Sequence, residues 1–560
     1  QKIQWKKSMK WGDFNLNWGR PLKSILAIFD KKKLSFNFHH LSSSNSTFID
    51  KEFEEKKKVF FDFKSYESFF QKRDTIINQD KRKNIIEKGF EKILSKKNLK
   101  IADNFKLIEE VVNLTDKPHI LECSFDKKFL SIPREILILT MQSHQKYFPL
   151  FTKKDEITNE FLVIANNKDQ KGLIKIGNER VIEARLNDAE FFWNNDKTQN
   201  LVKKVSELKT MNFFKGLGTY FDKVQRMRRL GALISDELLI SKEKVELSAS
   251  ICKTDLISQC VGEFPELQGI IGGHLSNVQG FEKEIVESIK EQYLPVGLHS
   301  SLPKKPFSIT LSITDKIDTL IGFFGVNEKP TSSKDPFALR RTALGIIRII
   351  IENKKNIKIK DLISGSTNFY SNQGFNFQNK TLYNDIKVFL EDRFKFYQKE
   401  KKIRHDIIEA SINAFDLDKI SLLFEKSKSL NKVINNQIGH DIVTSYKRAH
   451  NILQSELKNK NNGLTNTTDP GIFKNDYEKN LYKKINELQK YFAGISGDEN
   501  FDETLVLLSS AKKEIFDFFD NVKINDESEF IKKNRLELLN FFCKTFENFI
   551  DFQLIKDTNE

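Results

Sequence analysis

The sequence has 560 residues, of which 39% are hydrophobic and 30% charged, and its formal net charge is +15. That length exceeds what one core holds, so roughly three or four domains are predicted. No uninterrupted apolar stretch approaches the roughly 20 residues that span a bilayer, Arg348 breaking the best candidate, and a signal peptide is not expected. The four cysteines, Cys123, Cys252, Cys260 and Cys543, form no closely spaced pair, which argues against a zinc site or a disulfide framework. A soluble protein of the reducing cytoplasm is expected.

The positive charge favours a polyanionic partner, because Lys and Arg that neutralise phosphates release counterions and gain affinity without reading sequence. A Lys- and Asn-rich compositional bias of the source organism explains the excess equally well. Runs such as Lys31-Lys32-Lys33 and Lys56-Lys57-Lys58 read as solvated faces.

In chain order, residues 1–205 mix strand and helix signals. Ile120 to Phe125 and Phe161 to Ala165 read as strands, and Pro133 to Met141 as a short helix begun by proline. Trp11, Trp18 and Trp193 read as buried aromatic anchors rather than stacking platforms.

Residues 206–400 recur at helical period, with prolines such as Pro295, Pro303, Pro306 and Pro330 at the joints. Between Ile313 and Phe324, the residues Ile313, Ile317, Leu320, Ile321 and Phe324 share one face, and Asp315 and Asp318 lie together on the opposite side. The two carboxylates suit acid–base work or, more simply, ion pairs with a nearby Arg or Lys. In Lys334-Asp335-Pro336-Phe337-Ala338-Leu339-Arg340-Arg341, Asp335 fits a helix N-cap and Pro336 the first helical position. Leu339, Ala343, Ile346, Ile347 and Ile350 then form an apolar seam, with Arg341 and Arg348 seven residues apart on another face.

Residues 401–560 are helical again, interrupted by a polar, turn-rich connector from Lys458-Asn459-Lys460-Asn461-Asn462-Gly463 to Asp469-Pro470-Gly471. His405-Asp406 reads as a helix start, with Asp406 favoured in the first turn. From Val443 to Leu453, Val443, Tyr446, His450 and Leu453 share one sector, and Lys447, Arg448 and Asn451 occupy the next. Lys447, Arg448, Asn451 and Arg535 are therefore candidate RNA contacts. Asn451 as a helix-turn cap and Arg535 as a bridge between helices are the structural alternatives.

Several words of the sequence together resemble the beta subunit of the bacterial two-subunit glycyl-tRNA synthetase. They are the Asp315 and Lys334–Arg341 segments, Thr140-Met141-Gln142 to Pro149, Gly177-Asn178-Glu179-Arg180-Val181 to Phe192, Gly262-Glu263-Phe264-Pro265 to Gly269, and Lys447-Arg448-Ala449-His450-Asn451. The order is that of the family and the words span nearly the whole chain. Two departures stand out: the family begins with a longer segment before Trp11-Gly12-Asp13, so a fragment or a late start is expected, and a basic loop word is replaced at Ser46-Thr47-Phe48.

The resemblance implies a multidomain α+β protein. Its parts would be a mixed α/β N-terminal region, a mostly α-helical HD-like domain and a helical-bundle anticodon-binding domain. It implies a tRNA-binding beta subunit in a tetramer of two alpha and two beta chains, positioning tRNA(Gly) for ATP-dependent glycylation, with no DNA or membrane partner. ATP and Mg are expected at the alpha subunit, in keeping with the lack here of a glycine-rich phosphate loop or of class-specific synthetase words. Arg341 and Arg348 would face RNA phosphates or the partner subunit.

A weaker likeness to HD phosphohydrolases would make Asp315 a metal ligand. The matching His-Asp position reads Cys252-Lys253-Thr254-Asp255, so no catalytic metal is expected. A metal-dependent phosphohydrolase and a free-standing tRNA-binding or scaffold protein are the competing readings.

Overall fold

The two strands read from the sequence are neighbours. His119–Ser124 runs antiparallel to Ile157–Ala165, with Cys123 opposite Phe161 and Ile120 opposite Ile164. Phe148–Phe151, all four residues buried, pairs on the other side of Ile157–Ala165, and Lys100–Ile101 completes a four-stranded sheet. A continuous buried run carries no alternation, which is why Phe148–Phe151 escaped a period-2 reading. The helices Gln79–Lys97 and Phe105–Leu114 supply Ile86, Phe90, Leu107 and Val111 to a core shared with Phe148, Leu150 and Leu162.

The computed structural model describes residues 5, 7–50, 56–102, 105–377, 379–457, 467–494 and 501–556. The chain forms two compact units, residues 1–193 and 194–560. The sequence reading places its boundaries at 205 and 400. In the first unit, Pro133 stands at the N-cap of Arg134–Leu139, and that helix widens into a π turn over Thr140–His144. Trp193 is buried as expected, whereas Trp11 and Trp18 are half-buried among Trp5, Phe38 and His40.

The second unit carries one short hairpin near its start, Asn212–Phe214 with Gly218–Thr219, and is otherwise helical among the described residues. Pro306 occupies the first turn of the Pro306–Gly325 helix, where its missing N–H costs nothing. This helix packs against Tyr220–Leu238, Leu339–Glu352, Ile359–Asn372 and Leu382–Glu400, and nearly all its residues are buried. The side that carries Asp315 and Asp318 is inside rather than at the surface.

The Leu339–Glu352 helix starts three residues later than the sequence suggests. Ala338, at φ +54°, is its N-cap residue, and Pro336 precedes the helix. Asp335 still closes the end: its carboxylate accepts the N–H groups of Leu339 at 2.8 Å and Arg340 at 3.0 Å. A turn that folds Ala338 N–H back to the Asp335 carbonyl brings the carboxylate to the first turn from four residues away.

In the last part, Gln437–Leu457 is one helix whose Val443, Tyr446 and Leu453 are buried against Phe501–Ser509, Lys512–Asn521 and Glu529–Glu547. His405–Asn413 is a helix with Asp406 in its first turn, where Arg404 and the N–H groups of Ile407 and Lys556 bind the carboxylate. Asp469 accepts from the Gly471 N–H and opens a single turn, while Lys458–Gly463 lie outside the described residues.

Candidate nucleic-acid interface

Lys447, Arg448 and Asn451 project from the Gln437–Leu457 helix beside its buried seam, the first two half-buried and Asn451 exposed. The Arg448 guanidinium lies over two rings, 4.8 Å from the Phe516 centroid and 4.7 Å from that of Phe519, and pairs with Asp520 at 3.2 Å. Both the guanidinium and Asp520 remain solvent-accessible, at 38% and 64% of the side chain. An exposed pair of this kind holds its partners weakly and leaves the guanidinium donors within reach of an external anion. Asn451 makes no side-chain hydrogen bond among the described residues, so it does not cap a turn.

Arg535 points the other way. It is buried, with Nε 2.6 Å from Glu478 and Nη1 2.9 Å from Asp526 and 2.8 Å from the Lys523 carbonyl. Glu478 also accepts the N–H groups of Lys474 and Asn475 in a capping box, so Arg535 ties the Glu529–Glu547 helix to the start of Asp476–Ala493. Its donors are used inside the bundle, which is the bridging role rather than the RNA contact.

Arg341 and Arg348 separate in the same manner. Arg341 is exposed in the first turn of Leu339–Glu352. Arg348 is buried, bonded to Glu352 at 2.9 Å and to the carbonyls of Gly297 and Ser300 at 2.7 and 3.0 Å. Neither an RNA phosphate nor a partner subunit reaches donors enclosed in that way.

Asp315 and Asp318 sit at the centre of a buried charge cluster. Lys253 Nζ is 2.8 Å and Lys223 Nζ 3.3 Å from Asp315 Oδ1, and Lys223 also reaches Asp318 at 3.2 Å. Arg226 grips Asp318 with a two-pronged contact, Nε at 2.6 Å and Nη2 at 3.1 Å, and Tyr370 donates to the Asp318 carbonyl at 3.1 Å. Burial alone would raise the Asp315 carboxyl, but Lys223 and Lys253 outweigh it and hold the group below the ordinary carboxylate range. Asp255 turns away and accepts the N–H groups of Gly269 and Gly272. The ion-pair reading of Asp315 and Asp318 is the one realised: their oxygens face cations of the chain itself. Among the described residues no group of three His, Cys, Asp or Glu gathers as a metal site would require.

A family model described as glycyl-tRNA synthetase beta subunit matches residues 1–413, and one described as DALR anticodon binding domain matches residues 442–556. The chain belongs to the glycyl-tRNA synthetase beta subunit family. The glycine–tRNA ligase beta subunits of Rickettsia conorii and Rickettsia canadensis are each 37% identical to it, and that of Rickettsia felis 36%; each match covers 98% of this chain and 80% of the relative. Within this beta-subunit chain the DALR match begins on the helix that carries Lys447, Arg448 and Asn451.

Sequence reasoning passed over Arg340 and Arg393. Arg340 belongs to the Lys334–Arg341 word, but the helical wheel marked only Arg341 and Arg348. Arg393 offered no signal, since one arginine in an amphipathic helix is unremarkable until its partners are known.

Proposed function

We propose that this chain captures and orients tRNA(Gly) as the beta subunit of a glycine–tRNA ligase, within a tetramer of two alpha and two beta chains in the cytoplasm. Activation of glycine, with its ATP and Mg, falls to the alpha subunit, and no catalytic side chain is assigned here. The helical bundle at the C-terminal end grips the anticodon arm through Lys447, Arg448 and Asn451, and Arg341 adds a contact elsewhere. Holding the RNA in the right place relative to the partner's site lowers the barrier by several kcal/mol through proximity alone. Neither a membrane nor DNA is a partner, and no helix among the described residues is long and apolar enough to cross a bilayer.

The observation that carries the proposal is the coincidence of the anticodon-binding match over 442–556 with one helix edge that holds the half-buried Lys447 and Arg448 and the exposed Asn451. The helical part around Asp315 is assigned as an HD-like domain whose metal position is taken by Lys223 and Lys253, on the support of their contacts with Asp315. The test is glycine-dependent pyrophosphate exchange and tRNA charging by this chain with and without an alpha subunit. Activity is expected only in the mixture, and robust exchange by this chain alone would overturn the division of labour.

A further inference from the structure

Arg393 lies on the Leu382–Glu400 helix, which packs alongside Leu339–Glu352. Its guanidinium is 5.8 Å from the ring centroids of both Phe389 and Phe396, and its Nε is buried without a hydrogen-bond partner. Among the described residues no carboxylate pairs with it. Arg393 as a whole is half-buried, and its fork, with an enclosed Nε that no acceptor of the described residues reaches, leaves donors for a partner outside this chain.

Its charged neighbours act on it without pairing with it. Burial pushes the Arg393 guanidinium below its ordinary range, and Arg340 adds like-charge repulsion against the pull of Asp392 and Asp335. Asp335 is committed to the Leu339 and Arg340 N–H groups. Arg340 spends one Nη on the Thr331 carbonyl at 2.5 Å and keeps the rest of its fork, while Arg341 beside it is exposed with no partner among the described residues. Arg340 and Arg393 thus act on each other across two packed helices, with Arg341 exposed next to Arg340 in the chain and Phe396, a residue 37% exposed, beside Arg393.

We infer that Arg340, Arg341 and Arg393 form a phosphate-binding cradle for tRNA backbone outside the anticodon arm. The planar fork of arginine matches a phosphodiester with two parallel bonds, and an anion there relieves the mutual repulsion of the cluster. RNA fits better than an acidic protein segment because the partly exposed Phe396 beside Arg393 offers an unpaired base an aromatic surface, and the chain as a whole carries +15. The cradle belongs to the core built on Leu339–Glu352 and Leu382–Glu400, separate from the core that holds the Gln437–Leu457 helix. The inference rests on the tRNA-binding reading above.

The experiment measures binding of whole tRNA(Gly), and of its isolated anticodon stem–loop, to the full chain across a salt series. The variants are Arg393→Gln, Arg393→Lys and Arg341→Ala, with folding followed by circular dichroism and alpha-subunit capture measured in parallel. For whole tRNA, Arg393→Gln and Arg341→Ala are each expected to lower the slope of log affinity against log salt by roughly 0.7 to 0.9. Arg393→Lys restores the slope in part, and stem–loop binding stays as in the wild type. Unchanged slopes in folded variants would overturn the cradle, as would loss of alpha-subunit capture with tRNA binding intact, or equal losses for the stem–loop. Failure of the wild type to bind tRNA at all would instead overturn the tRNA-binding reading itself.

Discussion

Lys253 and Asp315 meet at 2.8 Å inside the central helical core, with Lys223 on the same carboxylate oxygen at 3.3 Å. Two ammonium groups of the chain itself thereby neutralise the buried carboxylate. The cluster ties the Tyr220–Leu238 helix to the Pro306–Gly325 helix.

Removing the carboxylate should therefore be costly. Asp315→Ala leaves Lys253 buried without its carboxylate, Lys223 keeping Asp318, at a cost of roughly 3–5 kcal/mol, and adding Lys253→Met should recover part of the loss. Urea unfolding of the single and double variants checks this. A single variant within 1 kcal/mol of the wild type, about the size of an exposed pair, would show that the cluster is not closed to solvent.

Lys316 gives the core a dependence on pH. Burial brings its ammonium from an ordinary value of 10.5 down to about 7, with Asp315 opposing the shift and Lys253 and Lys223 adding to it. Between those values the unfolded chain holds a proton that the folded chain has released, so stability rises as pH increases across that window. Wild type should gain on Lys316→Met from pH 7 to pH 9 in urea midpoints, and parallel profiles for the two proteins would refute the assignment.

Arg448 and Arg535 should respond in opposite ways. Arg448→Ala and Lys447→Ala are expected to leave the fold intact and each to lower the salt slope of tRNA binding by roughly 0.7 to 0.9. Arg535→Ala strands Glu478 and should destabilise the bundle by roughly 3–5 kcal/mol, seen as a lower thermal midpoint. A folded Arg535→Ala protein with a reduced slope would return that residue to the RNA surface.

Gly322 is held to its small size by Tyr370, whose hydroxyl would collide with a Cβ at that position. Since Tyr370 also bonds Asp318, Gly322→Ala should disturb both packing and the Asp318 contacts, costing roughly 1–3 kcal/mol. Thermal unfolding of Gly322→Ala beside Gly177→Ala, an open position where a Cβ meets nothing, makes the comparison; equal midpoints would show that Tyr370 moves aside freely.

Periodicity alone determined much of this protein. The seam of Val443, Tyr446 and Leu453 and the helix from Pro306 are local consequences of a 3.6-residue repeat and of proline's missing N–H, and the family words stand in the sequence itself. The fate of each charge did not follow from its position. Arg341 and Arg348 share a helix face, yet the Gly297–Ser300 segment closes over one and leaves the other open. Arg448 and Arg535 looked alike until Glu478 and Asp526, distant from Arg448 in the fold's hydrogen bonding, enclosed one of them. Arg393 became notable only because none of the acids around it pairs with it among the described residues. A helical wheel records which residues share a side; whether that side meets water, a carboxylate or another helix is settled by segments far away in sequence, through desolvation and pairing that exist only once the chain has packed.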